Sequence, residues 1–168
     1  MNKAVFLDRD GTINIDYGYV HEKDKLEFIP GAVEGLKQLQ DLGYLLIIIT
    51  NQSGIGRGLY TINEYNEFND YMLNELEKKG IHITDVFMCP HIDEDNCECR
   101  KPKLKLFYDA INKYNIDMDR SYAIGDRERD LSICKKESIK GILITESQDY
   151  NYICKKSLYD ASLYIKNQ

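Results

Sequence analysis

The chain has 168 residues, of which 43% are hydrophobic and 30% are charged, and its formal net charge is -6. This composition is typical of a globular protein, and we expect one domain over residues 1–168. The acidic balance gives no general attraction to nucleic acid or to anionic membranes, so we expect neither as a partner. The sequence lacks an apolar run of roughly 18 residues and a signal-peptide pattern, which predicts a cytoplasmic protein.

Apolar runs alternate with stretches of helical period, a pattern that predicts a mainly parallel sheet between two layers of helices. We predict strands near 3–8, 45–50, 84–89, 120–125 and 140–145. We predict helices near 31–42, 61–79, 103–115 and 127–137, with a weaker one near 150–157. The first helix follows Pro30-Gly31, and Thr61 to Glu64 form a capping box for the second. The C-terminal part, rich in Tyr and Lys, is predicted to close one edge of the sheet.

Polar residues follow four of the predicted strands. In open α/β sheets, ligands bind beyond the carboxyl ends of the strands. The polar segments are Asp8-Arg9-Asp10 after the first strand, Thr50-Asn51-Gln52-Ser53-Gly54 after the second, Arg100-Lys101 beyond the third and Gly125-Asp126 after the fourth. We therefore expect carboxylates, a hydroxyl and amide pair, and cations to meet at one edge of the sheet.

These groups permit phosphoryl chemistry, although an ordinary Asp/Gly turn is the alternative for the first segment. Converging carboxylates repel one another, and a hard divalent cation relieves that repulsion. We predict Asp8 and Asp126 as Mg²⁺ ligands, with the backbone carbonyl of Asp10 as a third. Lys101 and the Thr50 hydroxyl would meet the remaining charge of a bound phosphoryl group. Asp8 is the predicted nucleophile, which forms an aspartyl-phosphate, and Asp10 is the predicted acid and base.

A cluster of metal-binding residue types lies in the cysteine loop (residues 89–99). Cys89-x-His91 and Cys97-x-Cys99 match the donor set of a closed structural zinc site, and a reducing compartment favours metal over disulfides. We predict a zinc ion that pins this loop so that Arg100 and Lys101 point into the site. The alternative is a set of buried cysteines with an incidental histidine.

Together these segments resemble the haloacid dehalogenase superfamily of phosphohydrolases. The resemblance rests on four motifs: Asp8-Arg9-Asp10-Gly11-Thr12, Thr50-Asn51, Arg100-Lys101-Pro102, and Gly125-Asp126 with Asp130. It implies a Rossmann-like fold and the aspartyl-phosphate route, and it matches Asp10 to an acid that phosphatases of the superfamily have and dehalogenases lack. The segment from Thr12 to Pro30 is too short for a helical cap domain, so we expect an open site and a monomer.

The cysteine loop narrows the resemblance from the superfamily to two of its subfamilies. Cys-Pro-His followed by Cys-x-Cys-Arg-Lys-Pro is shared by the D-glycero-D-manno-heptose 1,7-bisphosphate 7-phosphatases and the histidinol-phosphate phosphatases. Segments 16–22 and 50–58 look like the heptose enzymes, whereas the short spacer 92–96 looks more like the histidinol-phosphate enzymes. The resemblance therefore implies removal of the C7 phosphate of the heptose bisphosphate, with histidinol phosphate as the alternative substrate.

The predicted substrate contacts come from the resemblance and from charge. The resemblance implies that Asp16, Gly18 and Tyr19 line a sugar pocket and that residues 50–53 and 100–101 hold phosphoryl groups. Arg127 stands where the heptose enzymes commonly have a substrate-binding lysine. One phosphoryl group does not require as many cations as Arg57, Arg100 and Arg127 provide, which favours a bisphosphate substrate. The predicted substrate-binding residues are Asp16, Gly18, Tyr19, Asn51, Gln52, Ser53, Arg57, Arg100 and Arg127.

Several alternatives stay open at this point. Arg57 and the acidic run 93–95 are also compatible with solvated loops, although the acids could bind the cations of histidinol phosphate. Asp130 is either a residue beside the metal site or an acid at a helix N-terminus. A polynucleotide 3′-phosphatase shares some motifs, but the chain has no basic nucleic-acid module. A non-catalytic phosphosugar-binding module would not need both Asp8 and Asp10.

Overall fold

The computed structural model describes residues 1–168 and contains one sheet of six parallel strands. The strands are β1 (Ala4–Leu7), β2 (Leu45–Asn51), β3 (Asp85–Cys89), β4 (Tyr122–Gly125), β5 (Lys140–Ile144) and β6 (Ile153–Lys155). Their spatial order is β3-β2-β1-β4-β5-β6, which places β1 and its polar C-terminal segment in the middle of the sheet.

Helices cover both faces of the sheet, as predicted. They are α1 (Ala32–Asp41), α2 (Ser53–Gly56), α3 (Ile62–Lys78), α4 (Lys105–Tyr114) and α5 (Leu158–Lys166). Short 3-10 helices span Lys23–Lys25, Asp93–Asp95, Met118–Arg120 and Glu128–Lys135. α1, α3 and α5 pack on one face, and α4 packs on the other. No helix combines the length and the apolar character needed to cross a membrane.

β1 is buried on both faces, which explains its continuous apolar sequence. Val5 and Leu7 enter the core beneath α1 and α3, whereas Phe6 enters the core beneath α4. The Phe6 ring packs edge-on against Phe107 with 5.7 Å between the ring centroids. Because both faces are covered, polar ligands can approach the sheet only at its ends.

The predicted helix signals at the first two long helices are confirmed. α1 begins after Gly31, which has a φ of +86°. The Thr61 hydroxyl accepts the Glu64 amide at 3.1 Å, and the Glu64 carboxylate accepts the Thr61 amide at 3.1 Å. The capping box therefore satisfies amides that the first turn of α3 would leave unpaired.

The prediction was wrong in detail near the C-terminus. The helix predicted at 127–137 is a 3-10 helix over Glu128–Lys135, in which Asp130 accepts the Arg127 amide at 3.0 Å and also reaches Lys101. The helix predicted near 150–157 is instead β6, because pairing with β5 outweighs local preference. Ser157 then caps α5, which was not predicted. β6 does close one edge of the sheet, as expected.

Candidate active site

Asp8 and Asp10 lie at the carboxyl end of the central strand. The Asp8 amide still donates to the Ile124 carbonyl of β4 at 3.2 Å, and the chain then turns away from the sheet. Gly11 in this turn has a φ of +90°, and a Cβ atom there would lie 2.3 Å from Asp126 Oδ2. Only glycine allows the first motif to approach Asp126 this closely.

Lys101 is buried against the first motif. Its Nζ lies 3.1 Å from Asp8 Oδ1 and 2.7 Å from Asp130 Oδ1, and it donates to the Ile49 carbonyl at 2.5 Å. Burial alone would lower the pKa of Lys101, but the two carboxylates outweigh burial and raise that pKa. Asp130 Oδ2 accepts the Arg127 amide, so Asp130 both caps its turn and contributes a carboxylate to the group around Asp8.

Three carboxylates meet at this point, with one oxygen each of Asp8, Asp126 and Asp130 within 4.8 Å of the others. Burial raises the pKa of Asp8 well above its usual value; Lys101 opposes this shift, and the neighbouring carboxylates, including Asp10, add to it. Burial and then Asp130 also raise the pKa of Asp126. Asp126 Oδ1 is buried without a hydrogen-bond partner. A hard divalent cation would bind that oxygen and relieve the repulsion, so the cluster fits Mg²⁺.

The side chains after β2 contact other residues of the site. Asn51 Oδ1 accepts the Lys101 amide at 2.9 Å, and Asn51 Nδ2 donates to the Lys101 carbonyl at 3.1 Å. Gln52 Nε2 donates to Asp10 Oδ2 at 3.0 Å and to Thr50 Oγ1 at 2.9 Å. Asn51 therefore fixes Lys101, and Gln52 fixes Asp10.

A cavity of about 360 Å³ opens above Asp8 and Asp10. Thr50 and Lys101 are buried and do not line it. All nine predicted substrate-binding residues line it: Asp16, Gly18, Tyr19, Asn51, Gln52, Ser53, Arg57, Arg100 and Arg127. The fold thus brings together residues that are far apart in the sequence.

Four arginines line the cavity: Arg57, Arg100, Arg127 and Arg129. Arg100 Nε lies 2.7 Å from Asp93 Oδ1, and this hydrogen bond lowers the pKa of Asp93, with smaller effects from Arg129 and Arg57. Asp93 is therefore exposed but paired, rather than a free loop acid. The arginines give the cavity a positive wall, which suits a second anionic group besides one at Asp8.

The loop after the first motif has a defined shape. The Gly18 amide donates to Asp16 Oδ1 at 2.9 Å, and Gly18 and Tyr19 both have left-handed φ angles, of +84° and +51°. His21 Nδ1 lies 2.7 Å from the Tyr19 carbonyl, and its ring stacks on Tyr60 at 4.6 Å. These contacts hold Asp16 and Tyr19 at the mouth of the cavity.

The cysteine loop brings four metal-binding side chains to one point. Cys89 Sγ lies 3.7 Å from Cys97 Sγ and 2.9 Å from Cys99 Sγ, and His91 Nδ1 lies 3.4 Å from Cys89 Sγ and 3.3 Å from Cys99 Sγ. Burial opposes ionisation of Cys97, but hydrogen bonds from the backbone of Arg100 and Cys99 lower the pKa of Cys97 to about 6. Three sulfur atoms and one imidazole nitrogen in this arrangement fit a zinc ion.

Sequence reasoning missed two residues that line the cavity, Tyr60 and Arg129. A signal existed for Arg129, which lies two residues after Arg127 and in the same turn as Asp130. No signal existed for Tyr60, which reaches the site from just before α3 and donates its hydroxyl to Gln52 Oε1 at 2.5 Å.

Comparison with known proteins identifies the family. Residues 13–136 match the haloacid dehalogenase-like hydrolases. The chain belongs to this family.

Relatives and solved structures agree with this assignment. The D-glycero-beta-D-manno-heptose-1,7-bisphosphate 7-phosphatase of Pasteurella multocida is 41% identical over 153 residues, covering 88% of this chain and 83% of the relative. The enzyme of the same name from Helicobacter pylori strain J99 is 44% identical over 148 residues, covering 87% of this chain and 85% of the relative. The crystal structure of the D,D-heptose 1,7-bisphosphate phosphatase from B. bronchiseptica, complexed with magnesium and phosphate, has a TM-score of 0.88, 26% identity and 98% coverage of both chains.

This haloacid dehalogenase-like hydrolase has no inserted cap domain, as predicted. Between β1 and α1, the only helical element is the turn Lys23–Lys25. Between β2 and Lys101, the chain forms α2, α3, β3 and the turn Asp93–Asp95. Short loops therefore form the walls of the cavity.

Proposed function

We propose that this haloacid dehalogenase-like hydrolase is a Mg²⁺-dependent phosphatase that removes the C7 phosphate of D-glycero-D-manno-heptose 1,7-bisphosphate. The observation that carries the proposal is the position of Asp8, which lies beside the buried cation of Lys101 and faces a cavity lined by four arginines. The names of relatives that are 41% and 44% identical over most of their length support this substrate.

The reaction proceeds in two steps. First, an Asp8 oxygen attacks phosphorus while the bond from phosphorus to the C7 oxygen breaks, and Asp10 gives its proton to that oxygen. Second, Asp10 takes a proton from a water molecule, whose oxygen attacks the aspartyl-phosphate and releases inorganic phosphate and the Asp8 carboxylate. Lys101, 3.1 Å from Asp8, offsets the negative charge in both steps.

Two metal ions complete the proposal. Asp8, Asp126 and the Asp10 carbonyl would hold Mg²⁺. When bound, this ion neutralises charge on the carboxylates and on the phosphoryl oxygens. The zinc ligands would be Cys89, His91, Cys97 and Cys99. The zinc would be structural, because four protein donors fill a tetrahedral site and leave no open position.

The arginines favour a bisphosphate over histidinol phosphate. One phosphoryl group beside Lys101 does not require four further guanidinium groups, whereas the phosphate on C1 does require cations of its own. Two of the acids that could bind an ammonium group make other contacts, since Asp93 pairs with Arg100 and Asp16 accepts the Gly18 amide.

The test is phosphate release from heptose 1,7-bisphosphate, fructose 1,6-bisphosphate and histidinol phosphate, compared by kcat/KM at saturating Mg²⁺. The proposal requires the heptose bisphosphate to have the highest value. A higher value for histidinol phosphate would replace the proposed substrate but keep the phosphatase chemistry. No release from any of the three would reject the phosphatase itself.

A further inference from the structure

Arg9 is the largest fully buried side chain in the protein, and it lies between the two catalytic acids in sequence. It does not line the cavity and has no exposed surface. A buried guanidinium is costly unless its charge is paired. Nη1 of Arg9 has no hydrogen-bond partner, so the pairing of the charge depends on Nε and Nη2. Its contacts therefore indicate why the chain places an arginine here.

The main contact of Arg9 is with Asp10. Arg9 Nε donates to Asp10 Oδ2 at 3.1 Å, and Arg9 Nη2 donates to Asp10 Oδ1 at 3.0 Å. Nη2 also donates to the Val20 carbonyl at 2.9 Å, and the guanidinium lies 4.8 Å from the centre of the Phe68 ring. A two-point contact of this kind fixes both the position and the plane of a carboxylate.

Two neutral amides complete the surroundings of Asp10. Asn14 Nδ2 donates to Asp10 Oδ1 at 2.9 Å, and Gln52 Nε2 donates to Asp10 Oδ2 at 3.0 Å. Together with the two bonds from Arg9, these donors occupy the four lone-pair positions of an ionised carboxylate. One contact must therefore open when Asp10 takes a proton. Gln52 Nε2 has a second acceptor in Thr50 Oγ1, whereas Arg9 would keep Asp10 in place.

We propose that Arg9 is a positioning residue that aims the Asp10 carboxylate at the oxygen of the departing alcohol. This inference rests on the proposed phosphatase function, and it assigns to Arg9 an effect through Asp10 rather than a contact with substrate. Loss of Arg9 would leave Asp10 with neutral donors alone, and misplacement of a catalytic group by about 1 Å costs on the order of 10²-fold in rate.

The test uses two substrates that differ in their need for an acid. Heptose 1,7-bisphosphate releases an alkoxide that needs a proton, whereas p-nitrophenyl phosphate releases a stable phenolate. For Arg9→Met, kcat/KM should fall by about 100-fold with the first substrate and by less than about 5-fold with the second. An equal loss with both substrates would overturn the proposal, because a general structural defect does not distinguish leaving groups.

Three further variants make the test independent of folding. Arg9→Lys keeps the buried charge but loses the two-point contact, so it should show the same selective loss even if Arg9→Met unfolds. Arg120→Met removes an exposed arginine and should leave both substrates unaffected. In the Asp10→Asn background, Arg9→Lys should not lower kcat/KM for the bisphosphate any further. A further loss as large as the one that Arg9→Lys causes alone would overturn the proposal. If the wild-type protein hydrolyses neither substrate, the proposed function itself fails.

Discussion

The side-chain amide of Asn51 pairs with both backbone polar groups of Lys101, at 2.9 Å to its amide and 3.1 Å to its carbonyl. This pair joins the end of β2 to the segment that follows the cysteine loop. It therefore fixes the backbone from which the Lys101 side chain reaches Asp8. The second motif of the sequence thus positions the third motif in addition to lining the cavity.

Replacement of Asn51 by Ala should lower kcat. The change removes two hydrogen bonds to Lys101 and loosens the buried cation that the proposed mechanism uses, so we expect a loss of about 10- to 100-fold in kcat. The measurement is steady-state phosphate release with heptose 1,7-bisphosphate. Asn66→Ala on the exposed face of α3 is the matched control. An Asn51→Ala enzyme with wild-type kcat would show that the pair has no such role.

Replacement of Lys101 by Met should affect both stability and rate. The variant leaves Asp8 and Asp130 near each other without their shared cation, and removal of one partner from a buried ion pair costs about 3–5 kcal/mol. Urea unfolding should show this loss, and phosphate release should fall below detection. Lys37→Met breaks only a surface pair with Asp41 and should change neither property. Wild-type stability in Lys101→Met would contradict the geometry described above.

The sequence predicted which polar segments meet at one end of the sheet better than it predicted the edges of the fold. Asp8 and Asp126 follow short apolar runs and Lys101 follows a distinctive cysteine pattern, so their location at one edge of the sheet could be predicted. β6 could not, because its three residues become a strand only through pairing with β5. Local sequence alone carries no information about such a partner.

Replacement of Asp126 by Asn should stabilise the protein in the absence of divalent cations. Burial raises the pKa of Asp126, so the folded state binds its proton more tightly than the unfolded state does. The ionised Asp126 carboxylate therefore lowers the stability of the folded protein at any pH above the pKa that Asp126 has in the folded state. This destabilisation disappears as the pH falls through that pKa. In urea unfolding with EDTA at neutral pH, Asp126→Asn should be more stable than the wild-type protein, and this advantage should shrink toward acidic pH.

The same variant tests the Mg²⁺ site. Added Mg²⁺ should raise the Tm of the wild-type protein and should have no such effect on Asp126→Asn, because binding to the folded state alone stabilises it. Differential scanning fluorimetry with and without MgCl₂ would measure both. An equal rise in Tm for the two proteins would place the cation elsewhere.

Removal of one zinc ligand should destabilise the cysteine loop. For Cys99→Ser we expect zinc content below one equivalent by mass spectrometry and a loss of about 3 kcal/mol, which corresponds to about 10 °C in Tm for a domain of this size. kcat/KM should fall as well, because Arg100 and Lys101 follow the loop directly. Cys134 lies outside the cysteine cluster, so the Cys134→Ser protein should bind as much zinc as the wild-type protein does. Retention of full zinc by Cys99→Ser would contradict the assignment.

Replacement of Arg129 by Met should distinguish bisphosphates from monophosphates. Loss of one charge-assisted contact to the phosphate on C1 should raise KM for heptose 1,7-bisphosphate by about 10- to 100-fold. The KM for heptose 7-phosphate should stay the same, since that substrate lacks the group that Arg129 would hold. Competition kinetics with both substrates would measure this ratio. An equal change for both would remove Arg129 from the proposed second phosphate site.

Arg9 and Tyr60 show why part of the site could not be predicted. Arg9 stands next to both proposed catalytic acids in the sequence, but only the fold reveals that it is buried and directed at Asp10. Tyr60 reaches Gln52 because the chain after α2 turns back toward β2, a matter of tertiary packing rather than of local pattern.

The most direct test of the central claim is ³¹P NMR of heptose 1,7-bisphosphate incubated with the wild-type protein or with Asp8→Asn. We predict that the wild-type protein, with Mg²⁺, converts the C7 phosphate signal to inorganic phosphate and leaves the C1 phosphate intact. Asp8→Asn, shown to be folded by circular dichroism, should leave both signals unchanged. Release of the C7 phosphate by Asp8→Asn at a rate near that of the wild-type protein would contradict the covalent mechanism on Asp8.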